Sequence, residues 1–256
     1  MSGEEGRLAR HPLLAAALGV ALFLALWEVL ALSGVMPPAL VPPPSAVPGA
    51  FLSELASGTW PLVVLESLRH YFIGVAIGSI LGVGAGVGVV QSASIEAAQA
   101  GIARLLRPIP PLAWIPFALI WFGVSEAAAA FIIAISVFWL NYFATLSAVK
   151  QVDPGLIELA RAFGHGGSIA RLFKIVLPAA APGILGGLRA GFGQGWMVVV
   201  ASELFGIPGI GQRMMDASGL LATQIVVLYM LTIALLYGVS DWAFQSLTRR
   251  LLAWLP

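Results

Sequence analysis

Six stretches of this sequence are long, apolar and nearly free of charge: Leu13–Leu32, His70–Val90, Arg107–Gly123, Glu126–Val149, Pro182–Leu204 and Ala222–Phe244. Crossing about 30 Å of hydrocarbon takes roughly 20 residues of helix. A water-soluble fold has no way to cover so much apolar surface. Apolar residues make up 59% of the 256 and charged residues 10%, against about 45–50% and about 25% in soluble domains. Lipid solvates such surface, and in lipid every backbone N–H and C=O must be satisfied internally, which selects helices. The expectation is an all-α, polytopic transmembrane bundle of about six spans. Arg107–Gly123 is the weakest span, being short and carrying Pro108, Pro110, Pro111 and Pro116. Four spans would serve equally if two segments were re-entrant. The first run is too long for a signal-peptide core and has no small-residue cleavage site, so it reads as a retained anchor.

Cationic residues set the orientation. With the N-terminus cytoplasmic, Arg7, Arg10, Arg104, Arg107, Lys150, Arg161, Arg171, Lys174, Arg249 and Arg250 fall inside, and only Arg69 and Arg213 fall outside. Both termini are then cytoplasmic. Residues 1–12 form the inside N-terminus and residues 13–149 the first four spans. Residues 33–65 form an external, extended, proline-rich segment without Lys or Arg. Residues 150–178 form a cytoplasmic loop, and residues 179–256 the last two spans and the inside C-terminus. The net charge of +1 leaves no footprint for nucleic acid. The absence of cysteine excludes disulfides, thiolate metal sites and cysteine nucleophiles.

Glycine recurs every four residues in two spans, at Gly74, Gly78, Gly82 and Gly86 and at Gly183, Gly187, Gly191 and Gly195. That spacing lines one helix face with small residues and lets backbones approach closely. The ladders are read either as tight packing alone or as faces on which helices slide or rock.

The loop 150–178 is far longer than a helix–helix connection requires. Asp153-Pro154 is a helix start, with Asp as the cap and Pro in the first turn. Leu156, Leu159, Ala160 and Phe163 share one face, Glu158 and Arg161 lie near the opposite one, and Gly164 ends the helix. Ser168 caps a second short helix striped by Ile169, Leu172, Phe173 and Val176, which Pro178 is expected to end. Such a pair either inserts into a groove on a partner or lies in the lipid interface.

Glu158-Leu159-Ala160, then three residues, Gly164, and Ile175-Val176-Leu177-Pro178 resemble the EAA loop of binding-protein-dependent ABC importer permeases. Leu159 replaces an alanine of that pattern, and ten residues rather than nine separate Gly164 from Ile175, an addition placed in the His165-Gly166-Gly167 corner. Pro42-Pro43-Pro44-Ser45-Ala46-Val47, Arg107 to Pro116, and Ala201-Ser202-Glu203-Leu204-Phe205-Gly206 with Gly209-Ile210-Gly211 are similar to segments of the nitrate/sulfonate/taurine subfamily. The resemblance implies a type I ABC importer permease in a bacterial plasma (inner) membrane. Its partners would be a second permease copy forming a homodimer, an ATP-binding cassette ATPase dimer and an extracytoplasmic solute-binding protein. Leu156, Glu158, Leu159, Ala160, Arg161, Phe163 and Gly164 would couple the chain to the ATPase. ATP and Mg would be held by that partner, because no G-x-x-x-x-G-K-[ST] loop occurs here, and this chain would bind no cofactor. The implied solute is a small anion or organic compound such as sulfonate, taurine or nitrate.

Polar groups at membrane depth mark possible pathways. Asn141, Arg189, Gln194, Ser202 and Gln224 are the candidates. Arg189 is either a forked donor to an anion or a snorkelling charge. Glu203 is read as holding the end of the fifth span to its neighbours. His11, His70 and His165 have no ligand spacing, so no metal site is expected, and no nucleophile–base set emerges. A non-catalytic transport subunit is the leading reading. A stand-alone secondary transporter or channel is the alternative, ahead of a membrane enzyme.

Overall fold

The computed structural model describes residues 12–35, 37, 39–162 and 168–251. The helices in chain order are α1 (Pro12–Leu32), α2 (Val47–Ala56), α3 (Thr59–Val90), α4 (Ala93–Leu106), α5 (Ile115–Phe122), α6 (Glu126–Lys150), α7 (Pro154–Ala162), α8 (Ser168–Arg171), α9 (Leu177–Glu203), α10 (Ile210–Gly219) and α11 (Thr223–Leu251). Short 3₁₀ turns at Pro44–Ala46 and Pro111–Trp114 precede α2 and α5, and a π turn at Leu172–Val176 joins α8 to α9. Among the described residues, five helical runs are long and apolar enough to cross a membrane: Leu14–Leu32, Thr59–Val90, Glu126–Lys150, Leu172–Glu203 and Thr223–Arg250.

Three expectations are corrected. Arg107–Gly123 is not one helix: the chain from Ala93 to Leu106 and from Pro111 to Phe122 is bent by 90°. Pro108, Pro110 and Pro111 remove three backbone donors within four residues, and Pro110 is extended at φ −65°, ψ 145°, ahead of the next helical turn. Residues 33–65 are not simply extended. Pro44 and Pro48 sit in first turns, where proline's fixed φ favours helix, and Thr59 opens a 32-residue helix. Pro178 does not end the second loop helix, which continues through Pro178 and Pro182 to Glu203. The π turn just before Pro178 widens the backbone where the proline ring would otherwise press on a carbonyl.

The chain forms two compact units. One comprises residues 1–62 and 213–232. Within it the Glu28 carboxylate accepts from the Ser45 amide at 3.0 Å and the Ser45 hydroxyl at 2.6 Å, fixing the first 3₁₀ turn. Glu54 on α2 is buried and accepts from Arg213 at 3.1 and 2.5 Å and from the Tyr229 hydroxyl at 2.8 Å. The Arg213 hydrogen bonds hold the Glu54 carboxyl below its ordinary value near 4.5, outweighing burial, and Glu54 raises Arg213 in turn. A lowered folded-state value means stability that is complete above the unfolded carboxylate range and lost as pH falls through the folded value. Wild type and Glu54→Gln are therefore expected to differ in thermal midpoint by a constant amount from pH 8 to about pH 5, with the gap narrowing below about 4.5. A pH-independent gap would show that the ion pair contributes nothing through charge.

The other unit comprises residues 63–212 and 233–256. Its core joins Tyr71, Val75, Ile132, Ile133, Val137, Trp196 and Val199. Tyr71 stacks on Trp196 at 4.2 Å and donates to the Phe192 carbonyl at 3.0 Å. A smaller apolar cluster of Val149, Val152, Leu172, Val176 and Ala180 closes one end of α6.

Candidate functional site

Helix α6 lies between the two glycine ladders. A methyl group on Gly74, Gly78, Gly82 or Gly86 would collide with Ile133, the Ala134 carbonyl, the Phe138 carbonyl or Thr145 respectively. One on Gly183, Gly187 or Gly191 would collide with Ala148, Ala144 or the Asn141 amide. Residue numbers rise together along α3 and α6 and run oppositely along α9. The first is therefore parallel to α6 and the second antiparallel. Parallel neighbours require the intervening chain to return across the bundle, so the bent segment 93–122 makes the sixth crossing. The ion pairs agree: Arg69, early on α3, meets Glu126 at 2.9 Å at the start of α6, and Glu96 meets Lys150 at its other end.

Glu203 ends α9 inside a fully buried knot. Its carboxylate accepts from the Ser67 hydroxyl at 2.9 Å and the Gly211 amide at 2.8 Å, and it contacts His70 Nδ1 at 2.9 Å. Ser67 Oγ accepts from the Ile210 amide at 2.8 Å. Side chains at Gly209 and Gly211 would fall on the Glu203 carboxyl and the Val200 carbonyl, and Gly209 sits at φ +152°. The glycines after Glu203 are thus required by how tightly the following turn wraps the carboxylate.

The proposed path residues are dispersed. Asn141 is buried in the α3–α6–α9 packing and donates to Ser79 at 2.9 Å. Ser202 is buried and donates to the Val199 carbonyl of its own helix. Arg189 pairs with Asp241 at 2.8 Å and 3.1 Å. Gln224 is half-buried in the first turn of α11 and belongs to the other unit. Gln194 lines a cavity of about 330 Å³ together with Arg107, Ser136 and Trp139. Sequence reasoning counted Arg107 for orientation and as the start of the Arg107–Pro116 segment, and passed over Ser136 and Trp139. Their signal was present in the Arg107–Pro116 motif and the aromatic run of α6.

At the loop, the Asp153 carboxylate caps α7 by accepting from the Gly155 amide at 2.8 Å. Leu156, Glu158 and Leu159 are exposed. Ile157, not singled out from the sequence, is the half-buried one and lines a cavity with Val149, Arg171 and Leu172. Ala160 and Arg161 lie in α7, but their side chains fall outside the described residues, as do Phe163, Gly164 and the His165–Gly167 corner.

Together these features define a polytopic helical membrane subunit with a tightly interlocked core and a short capped helix, α7, after α6. Residues 74–253 match the binding-protein-dependent transport system inner membrane component family. The chain belongs to that family, as a non-catalytic permease subunit of an ABC importer. It is 32% identical to the putative aliphatic sulfonates transport permease protein of Escherichia coli over 91% of this chain and 88% of that one. It is 29% identical to the taurine transport system permease protein of E. coli, covering 92% and 87%. A bicarbonate transport system permease protein of Synechococcus elongatus is 36% identical over 60% of this chain and 55% of its own. Among solved structures, the fold is similar to the MetNI methionine ABC transporter in an inward-facing conformation, at TM-score 0.60 and 20% identity, covering 74% of this chain and 97% of that one.

Proposed function

We propose that this chain forms the membrane pathway for a small anionic solute and is driven through residues 150–178 by a separate ATP-binding cassette ATPase pair, which holds ATP and Mg. The family supports a permease role, and the names of its relatives point to sulfonates, taurine and bicarbonate as solute chemistry. The observation that carries the coupling reading is the capped helix α7, with Leu156, Glu158 and Leu159 exposed. Its half-buried Ile157 faces the cavity that Val149, Leu172 and Val176 also line. An exposed apolar pair on a capped helix fits a groove on a partner, and the continuous run from α8 into α9 passes a push at the loop directly into a span. Arg161, Ala160, Phe163 and Gly164 complete the contact in this reading. Two copies of the chain line one pathway, an extracytoplasmic binding protein delivers solute, and both termini face the cytoplasm of a cell whose inner membrane holds the chain.

The test is the double variant Leu156→Asp/Leu159→Asp. Uptake by the reconstituted complex and retention of the ATPase during purification are both expected to fall at least tenfold, the chain itself remaining monodisperse, because both substituted sites are already exposed. Glu158→Lys is expected to act in the same direction and more weakly, as a charge at an interface rim does. Undiminished ATPase retention and uptake in the double variant would refute the coupling role.

A further inference from the structure

We infer that the cavity beneath the proline-rich bend is an anion-binding station in the membrane, built by Arg107, Trp139, Ser136 and Gln194. This rests on the reading of the chain as a pathway for a small anion.

The cavity of about 330 Å³ is lined on one side by the α4–α5 bend, through Arg107 and Trp114, and on the other by Ser136, Trp139 and Phe143 of α6, with Gln194 of α9 between them. Its depth follows from α6. At about 1.5 Å per residue, Ser136 lies about 15 Å from Glu126 and Phe143 about 10 Å short of Lys150. The cavity therefore occupies the middle of that span. The Arg107 guanidinium is held over the Phe143 ring, 4.6 Å from its centroid. Among the described residues it pairs with no carboxylate, unlike Arg69, Arg189 and Arg213. The Arg107 side chain is partly exposed, and at Phe143 its charge stands about 10 Å in from the Lys150 end of α6, where a cation without a counter-charge is costly and marks a functional position. Its attraction to the ring fixes it in place without neutralising it.

Each of the remaining polar groups can donate, and the hydroxyl and carboxamide can also accept. The Trp139 indole N–H is buried and donates to no described residue. Indole can only donate, guanidinium can only donate, and a hydroxyl and a carboxamide each offer a donor. No carboxylate lines the cavity. A volume of this size with a positive fork, an orphan N–H and two further donors suits an oxyanion such as a sulfonate, nitrate or bicarbonate. It does not suit a cation, which would find no charged acceptor. The aromatic rings of Trp114, Trp139 and Phe143 leave room for a short apolar tail beside the charged head.

The prolines explain why the site exists where it does. Had residues 93–122 continued as one helix, Arg107 would project from a straight span. The 90° bend instead lays the residues around Arg107 against α6.

The experiment uses the full chain in phosphatidylcholine nanodiscs, titrated with sodium iodide, an anion that quenches indole fluorescence on contact. A saturable component is expected above the linear collisional one, displaced by ethanesulfonate and by bicarbonate. Arg107→Gln is expected to weaken that component about ten- to hundredfold, the range for losing hydrogen bonds to a charged group. Arg107→Lys should restore part of it by keeping the charge without the fork, and Gln194→Leu should weaken it several-fold. Arg69→Gln, a change at an arginine outside the cavity, should leave it unchanged. Purely linear quenching in the wild type overturns the inference. So does an unchanged saturable midpoint in the Arg107 variants, or in Gln194→Leu should Arg107→Gln fail to fold. A chain that retains its ATPase and imports solute but shows only linear quenching loses this station and keeps the coupling reading. A chain that holds iodide in the Arg107-dependent way yet never retains an ATPase keeps the station and loses the coupling.

Discussion

Glu203→Leu is expected to lower the stability of the inserted chain by about 3–5 kcal/mol, because several buried hydrogen-bonding groups lose their acceptor at about 1–3 kcal/mol each. The carboxylate is fully buried and receives the Ser67 hydroxyl and the Gly211 amide while contacting His70. Leucine offers none of them an acceptor. Water has no access to replace it, since Ser67 and His70 are also fully buried. The space is equally restrictive: the turn at Gly209 and Gly211 is moulded to the carboxyl group and to the backbone before it, so a branched apolar side chain cannot spread there. Glu203→Gln keeps the size and one acceptor oxygen, and is expected to recover more than half of the loss. The measurement is the denaturant midpoint of purified protein, or the fraction eluting as a monodisperse peak after heating. Equal midpoints for Glu203→Leu and wild type would mean that the knot is geometrically satisfied but energetically idle.

The second large effect is positional. Gly78→Val should destabilise the bundle by about 3 kcal/mol, at the upper end for forcing atoms into a packed interior. Gly84→Val, six residues further along the same helix, should change stability by less than about 0.5 kcal/mol. At Gly78 an added Cβ would stand 2.5 Å from the Ala134 carbonyl oxygen and 2.9 Å from Val137 Cβ, whereas at Gly84 nothing lies within 4 Å. The obstruction at Gly78 is backbone, which cannot rotate aside, so α3 and α6 would have to separate along their whole contact. Both substitutions carry the same propensity change, and the comparison isolates packing from helix formation. Similar losses at the two positions would assign the ladder to conformational flexibility instead. The same interlocking, repeated at four levels of α3 and three of α9, makes these helices a register-locked layer. It favours tight packing over sliding as the meaning of the glycine spacing.

Much of the architecture was legible because the membrane is a strict solvent. Apolar length located α1 and α6 at both ends and the start of α11, which runs seven residues past its expected end, and the four-residue recurrence of glycine identified which faces of α3 and α9 pack closely. Asp153-Pro154 marked the start of α7 by chemistry that acts within one turn. The proline-rich regions were less legible. Proline interrupts a helix, starts one or is absorbed into one according to where the neighbouring carbonyls lie. Pro44 and Pro48 start helices, Pro108 to Pro111 turn the chain by 90°, and Pro178 is absorbed after a π turn.

The site residues divide along the same line. Single polar positions inside spans were visible as Asn141, Arg189, Gln194, Ser202 and Gln224, but their roles depend on partners distant in sequence. Arg189 meets Asp241, 52 positions away, and Asn141 meets Ser79, 62 positions away. Arg107 reads as a topogenic charge until the bend brings it to Trp139 and Gln194.

The sequence by itself determined that this chain lives in lipid as helices, which faces of two helices are smooth, and where the loop between the fourth and fifth spans begins. These follow from solvent and from interactions within a few residues. Only the tertiary structure decided that both smooth faces grip one helix, that a carboxylate ties α9 to the turn behind it, and that an arginine stands unpaired over a cavity. Each of those depends on which distant side chains share a space, and the period of a pattern carries no information about its partner.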